Sequence, residues 1–262
     1  LAPLQRRNRK TIVTLSRDQA WPYPRWVAHR GAGTLAPENT LAAFRKGAEH
    51  GYRMFECDAK LSADGVVFLM HDATLQRTTN GQGLGGEKNW QQLSQLDAGG
   101  WHSRTYTGEP LPTLANVAEF CIRNQYFLNI EIKPTPGVEF KTGDAVAKEA
   151  AHIWQNETVP PLLTSFQVES LKGAQKAAPH LPRGLLLHSL PEGWLETAQA
   201  LECRAVVCNF ALWTPVIVEA VHQAGMKCLS YTVNDEWVAQ HLLQMGTDGI
   251  ITDRVDMFSP AA

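Results

Sequence analysis

Short apolar runs alternate with longer amphipathic stretches along nearly the whole chain. Runs rich in β-branched and aromatic residues predict strands at Trp26–Arg30, Arg53–Lys60, Phe127–Ile132, Leu162–Phe166, Gly184–His188, Ala205–Asn209, Lys227–Val233 and Gly249–Thr252. Apolar positions at helical spacing predict helices near 40–50, 113–124, 142–156, 167–178, 192–201, 214–224 and 235–245. Eight strands alternating with helices predict an α/β fold with a parallel sheet, and that number closes naturally into a ring, the (β/α)8 or TIM barrel. A doubly wound open sheet shares the alternation, but no G-x-G-x-x-G follows the first strand. Little chain follows the eighth strand, so residues 1–20 are expected to cover part of the barrel in place of a full closing helix.

One stretch breaks the rhythm. Residues 72–112 are rich in Gly, Thr and Asn, carry Trp90 and Trp101, and are too long for an ordinary connection. They read as an insertion over the substrate face of a single catalytic domain spanning 1–262, with residues 1–23 as an N-terminal extension. The length of 262 residues and 44% hydrophobic content suit one large barrel with a substantial core. A net charge of −2 leaves no basic field for a nucleic acid and no patch for membrane insertion. A small anionic substrate needs only a local Arg/Lys pair. The five cysteines, at 57, 121, 203, 208 and 228, are dispersed and lack CxxC, so reduced core thiols are expected, Cys203 and Cys208 included. The basic stretch 1–10 is followed by no signal-peptide h-region, and cytoplasm is the expected location.

Reactive groups collect where a barrel of this kind has its active site, at the carboxyl ends of strands. The first strand ends in His29-Arg30-Gly31, where Arg30 could fork onto a phosphate. Asn39 is read as the N-cap of the first helix. Glu56 and Asp58 share a face of the second strand, and two buried carboxylates repel unless a cation lies between them. All-oxygen ligands favour Mg²⁺ or Ca²⁺. Asp64-Gly65 signals a two-residue hairpin, in which Ala63 pairs with Val66 and Asp58 faces His71. Asp72 either orients the His71 ring or caps a turn. Glu131 and Lys133 share a face of the third strand, adding a third carboxylate and a second fixed positive charge. Trp213 and Phe166 follow strand ends, where packing is the favoured role over lining a leaving-group pocket. Two histidines, three carboxylates, an Arg and a Lys at one barrel end meet the needs of phosphodiester hydrolysis: cations offset phosphoryl charge while one imidazole removes a proton and the other supplies one.

These residues resemble the glycerophosphodiester phosphodiesterase family. The matching motifs are His29-Arg30-Gly31, Pro37-Glu38-Asn39-Thr40, Glu56-Cys57-Asp58, Asp64-Gly65, His71-Asp72, Leu75 to Gly81, Leu96 to Gly99, Leu111 to Leu114, Glu131-Ile132-Lys133, Tyr231 to Asn234 and Gly249 to Asp253. The resemblance runs from about residue 24 to 255. It implies a TIM barrel of the phospholipase-C-like phosphodiesterase type and His29 and His71 as the acid–base pair. It further implies one divalent cation, Mg²⁺ or Ca²⁺, on Glu56, Asp58 and Glu131, with Arg30 and Lys133 on phosphate. Glycerophosphocholine, glycerophosphoethanolamine and similar small molecules would be the substrates, giving sn-glycerol 3-phosphate and an alcohol. Which histidine is the base, whether a cyclic phosphate forms, the headgroup preference and the oligomeric state stay open. Cys57, and the absence of proline after Asp253, depart from the common pattern without touching the proposed chemistry. The rival readings are a phospholipase-type or lysophospholipase D-type phosphodiesterase, an inactive glycerol-phosphate-binding barrel, and a metal-dependent sugar isomerase.

Overall fold

A computed structural model describes residues 20–261. Nine strands run in chain order: β1 Trp26–Ala28, β2 Met54–Leu61, β3 Val67–Leu69, β4 Phe127–Ile132, β5 Leu162–Ser165, β6 Arg183–Leu187, β7 Ala205–Asn209, β8 Lys227–Tyr231 and β9 Gly249–Thr252. All except β3 pair in parallel, in the order β1-β9-β8-β7-β6-β5-β4-β2, and β1 pairs again with β2 to close the ring. The eight parallel strands form a TIM barrel, and β3 hangs antiparallel on the outside of β2. The helices are α1 Leu41–Glu49, α2 Trp90–Leu93, α3 Leu114–Arg123, α4 Glu139–Ile153, α5 Val168–Ala177, α6 Trp194–Ala200, α7 Pro215–Gln223 and α8 Glu236–Gln244.

Strand alternation divides the core in two. Phe55, Cys57 and Ala59 of β2 and Leu128, Ile130 and Ile132 of β4 point outward into the layer between sheet and helices. Val27, Met54, Leu162, Val207, Leu229 and Ile251 point inward and fill the lower barrel, where Tyr23 and Trp21 plug its floor. Trp21 and Tyr23 belong to the end of the N-terminal extension; the cover expected from residues 1–20 falls, apart from the exposed Ala20, outside the described residues. Among the described residues no helix follows β9; Phe258 stacks on Trp26 with ring centroids 4.9 Å apart and accepts a hydrogen bond from Tyr52 through its carbonyl. The five thiols are free and buried, and Trp213 is core, its indole N–H donating to the Leu229 carbonyl.

Three local expectations need correction. The hairpin after β2 has a three-residue loop: Ser62 N–H donates to the Val66 carbonyl at 2.9 Å, and Gly65 takes a left-handed φ of 87°. The ladder therefore pairs Ala59 with Leu69 and Leu61 with Val67. Asp58 lies against Met70, whose N–H it accepts at 3.0 Å, one place from the expected register. A left-handed glycine closing a three-residue loop is the next commonest hairpin solution, and Asp-Gly alone does not separate the two. The first strand stops at Ala28; His29–Gly31 is a tight helical turn in which Arg30 has φ 52°. Asn39 is not the N-cap of α1. Thr40 caps it by accepting from the Ala43 N–H, while Asn39, at φ 60°, turns back toward β2.

Residues 72–112 build a small separate core together with β3 and Met70. Phe68, Met70, Leu75, Leu93, Ala98 and Leu111 bury together, with Trp90 and Leu96 against them. The segment is tied to the β1–α1 connection, where His102 meets the Thr34 carbonyl at 2.8 Å, and to the first turn of α1, where Glu109 accepts from the Ala42 N–H. Among the described residues no helix is long and apolar enough to cross a membrane.

Candidate active site

At the carboxyl end of the barrel lies a cavity of about 200 Å³, lined by His29, Arg30, Glu56, His71, Glu131 and Lys133 on one side. Phe166, His188 and Tyr231 form the opposite wall, above Asn129, Thr164, Leu186 and Ile251. All seven residues singled out from the sequence meet here, with Asp58 just beneath the surface of the cavity. Phe166 packs against the inward-facing core, as expected, and fills the other role weighed for it as well. It lines the cavity, stacked at 4.0 Å on His188 and 5.5 Å from the Lys133 ammonium.

Inward-facing positions of β2 and β4 place the carboxylates. Asp58 pairs in register with Glu131, and one oxygen each from Glu56, Asp58 and Glu131 lie within 4.8 Å of one another. Arg30 folds over them: its N–H donates to Glu56 Oε2 at 3.0 Å, and its Nε lies 3.3 Å from Asp58 Oδ2. The left-handed turn at Arg30 is what aims both groups downward. Asn39 clamps Asp58 twice, donating from Nδ2 to Oδ2 at 2.9 Å and accepting the Asp58 N–H at 3.0 Å. Lys133 Nζ lies 3.1 Å from Glu131, and the fully buried Lys60 donates to the Lys133 carbonyl.

Three acids this close cannot all ionise at ease. Burial, then the repulsion of Asp58 and Glu131, pushes Glu56 well above the usual carboxylate range. Burial, then Asp58, pushes Glu131 up to about 7. Burial would raise Asp58 as well, but Arg30, His71, Lys133 and the Asn39 hydrogen bond hold it below its ordinary value. Glu56 Oε1 and Asp58 Oδ1 are buried with no hydrogen-bond partner. Orphaned acceptors in a closed acidic cluster, all oxygen, fit a hard divalent cation. A second cluster, His222, Cys228 and Asp248, fits a metal poorly. Asp248 already accepts from His222, Lys227 and the Cys228 N–H, which braces the far end of β8.

Each histidine has a carboxylate behind it. His29 Nδ1 donates to Asp253 Oδ1 at 2.6 Å, which leaves Nε2, 3.8 Å from Glu56, as the free nitrogen. Asp253 stays anionic: burial would raise it, but hydrogen bonds from His29 and Asn234 outweigh that. His71 Nδ1 donates to Asp72 at 2.8 Å, and burial lowers the His71 pKa. Orienting the ring and capping were both open for Asp72, and the first is what it does.

Asp253, Asn39 and Glu38 were missed as site residues. Asp253 had a usable signal, since it directly follows the last strand. Asn39 did not, because its contact depends on a left-handed backbone that sequence spacing does not reveal.

Asp253→Asn should lower kcat about 100-fold at unchanged folding. Asn234 Nδ2 donates to Asp253 Oδ2 at 2.9 Å, so an amide at 253 must turn its own NH2 toward His29 and force the proton onto Nε2. A kcat within about threefold of wild type would sink the role given to Asp253.

A parallel barrel with an acidic cluster, two backed imidazoles and two fixed cations around one cavity defines a class, the barrel hydrolases of phosphate esters. The chain belongs to the glycerophosphoryl diester phosphodiesterase family, whose model matches residues 29–257. It is 34% identical over 232 residues to the glycerophosphodiester phosphodiesterase of Caldanaerobacter subterraneus, covering 87% of this chain and 93% of that one. Among solved structures, an Oleispira antarctica phosphodiesterase in complex with the product sn-glycerol-3-phosphate superposes with a TM-score of 0.84 at 32% identity, covering 91% of this chain and 97% of that one. The Agrobacterium tumefaciens glycerophosphodiester phosphodiesterase gives 0.77 at 31% identity, covering 91% and 100%.

Proposed function

We propose that the protein hydrolyses glycerophosphodiesters such as glycerophosphocholine and glycerophosphoethanolamine to sn-glycerol 3-phosphate and an alcohol, using His29 and His71 as acid and base. The observation that carries this reading is that both histidines open onto the cavity that holds the carboxylate cluster, Arg30 and Lys133. Glu56, Asp58 and Glu131 would hold one divalent cation, Mg²⁺ or Ca²⁺. When bound, that ion neutralises charge on the phosphoryl oxygens. Arg30 and Lys133 hold the remaining phosphoryl oxygens and keep the diester in place for attack. The anionic Asp253 keeps His29 Nε2 free to take or give a proton, and Asp72 does the same for His71. Residues 72–112 contribute to the substrate face of this single catalytic domain. The five free thiols suit a reducing compartment, and we place the enzyme in the cytoplasm.

The test is incubation with glycerophosphocholine, with and without EDTA, following glycerol 3-phosphate by coupled oxidation. Cation-dependent release supports the reading. Release of glycerol with phosphocholine would mean that the other P–O bond is cleaved. A folded protein that binds glycerol phosphate but turns nothing over would be a binding barrel instead.

A further inference from the structure

Five side chains form one continuous charged line across the mouth of the barrel. It starts at His71, which donates to Asp72 Oδ1 at 2.8 Å. Arg77 grips Asp72 with one edge of its guanidinium, Nε to Oδ2 at 2.7 Å and Nη2 to Oδ1 at 2.9 Å. The other edge grips Glu38, Nη1 to Oε2 at 2.9 Å and Nη2 to Oε1 at 2.8 Å. Glu38 then accepts from Arg30 Nη1 at 3.1 Å. The line begins after β3, passes through the start of the 72–112 segment and ends in the β1–α1 connection.

We propose that Arg77 is a positioning residue for phosphodiester hydrolysis, locking the Asp72–His71 pair and the Glu38–Arg30 pair into one frame. The proposal rests on the roles given above to His71 and Arg30. A planar guanidinium is the one side chain that can satisfy two carboxylates along two edges at once. Without it, Asp72 and Glu38 would face each other as like charges. Asp72 would swing and release the His71 ring, and Glu38 would draw Arg30 off the phosphate position. Side-chain exposure at Arg77 is 43%, so its ion pairs add little to stability and their loss should register in catalysis.

The test compares wild type with Arg77→Ala, Arg77→Lys, Asp72→Asn and Glu38→Gln on glycerophosphocholine at saturating Mg²⁺. Arg77→Ala should lose about 100-fold in kcat while its Tm stays within about 3 °C of wild type. Guanidinium at about 10 mM, far below denaturing levels, should restore at least about tenfold of that loss and leave wild type unchanged. Combining Arg77→Ala with Asp72→Asn should cost little more than either alone, because both break the same arm. Glu38→Gln should raise KM more than it lowers kcat. Should Arg77→Ala fail to fold, Arg77→Lys supplies the same readings, with a smaller loss. A kcat within about threefold of wild type would overturn the proposal, as would a loss that tracks Tm and ignores guanidinium. Inactive wild type would sink the hydrolysis reading itself, whereas active wild type with an equally active Arg77→Ala would sink only the role of Arg77.

Discussion

Chelation of the divalent cation should abolish glycerol 3-phosphate release, by about 1,000-fold or more, and Mg²⁺ or Ca²⁺ should restore it. The size follows from the site's own charge. Without an ion, Glu56, Asp58 and Glu131 present a cluster that repels an anionic diester, and two of its oxygens have no partner. Arg30 and Lys133 are already engaged with those acids at 3.3 and 3.1 Å, so they are not free for phosphate. The same cluster makes a stability prediction whose sign is fixed. Glu131 is raised to about 7 from an ordinary 4.5, so the stability it contributes is fully present below about 4.5 and lost as pH rises through about 7. Glu56 shifts the same way. The Tm of the chelated protein should therefore fall by several degrees between about pH 5 and about pH 8, and saturating cation should reverse the fall. Calorimetry at the two pH values with EDTA and with Mg²⁺ reads this directly. Full activity in EDTA, or a Tm at the higher pH that ignores every divalent ion, would remove the cation from the mechanism.

His29→Ala and His71→Ala should each lower kcat by about 10²–10⁴-fold with folding intact. The imidazoles reach the cavity from two separate segments, the turn after β1 and the residues after β3, and have different backing carboxylates, Asp253 and Asp72, so each acts on its own proton. A substrate whose leaving alcohol is a nitrophenol, needing no protonation to depart, separates their tasks. The variant lacking the acid should recover most of its rate on that substrate, and the variant lacking the base should not. Equal recovery in both, or a loss below about tenfold in either, would contradict an acid–base pair.

Most of the architecture was legible because alternation is a strong signal. Strands buried on both faces read as continuous apolar runs, and on β2 and β4 the charged positions that interrupt them are the inward ones near the carboxyl end. That is why Glu56, Asp58, Glu131 and Lys133 could be placed from spacing alone. What spacing could not supply is backbone that leaves the regular regions. Asn39 and Arg30 both take positive φ, and each is thereby turned onto Asp58, although in sequence Arg30 reads as the end of a strand and Asn39 as a helix N-cap. The hairpin slipped by one residue for a related reason, since Asp-Gly serves loops of two or three residues. His71 nevertheless reaches the cavity because β3 ends at Leu69 and strand alternation no longer governs it. Phe166 both packs on the inner core and walls the pocket, and sequence favoured only the first because apolar residues at a barrel mouth look the same whether they seal the core or line a cavity.

The ring is closed by its first and last strands, with Ala28 beside Thr252, and Gly33 lies so close to the Asp253 backbone that a Cβ there would come within 2.1 Å of its carbonyl oxygen. His29 is thus among the earliest site residues to leave the ribosome, while the carboxylate that orients it is among the last. No partly folded intermediate lacking β9 can have an aligned His29. Turnover is therefore a reporter of ring closure: recovery of activity during refolding should lag behind the formation of helix and follow this most sequence-distant strand pairing, the step that contact order makes slow.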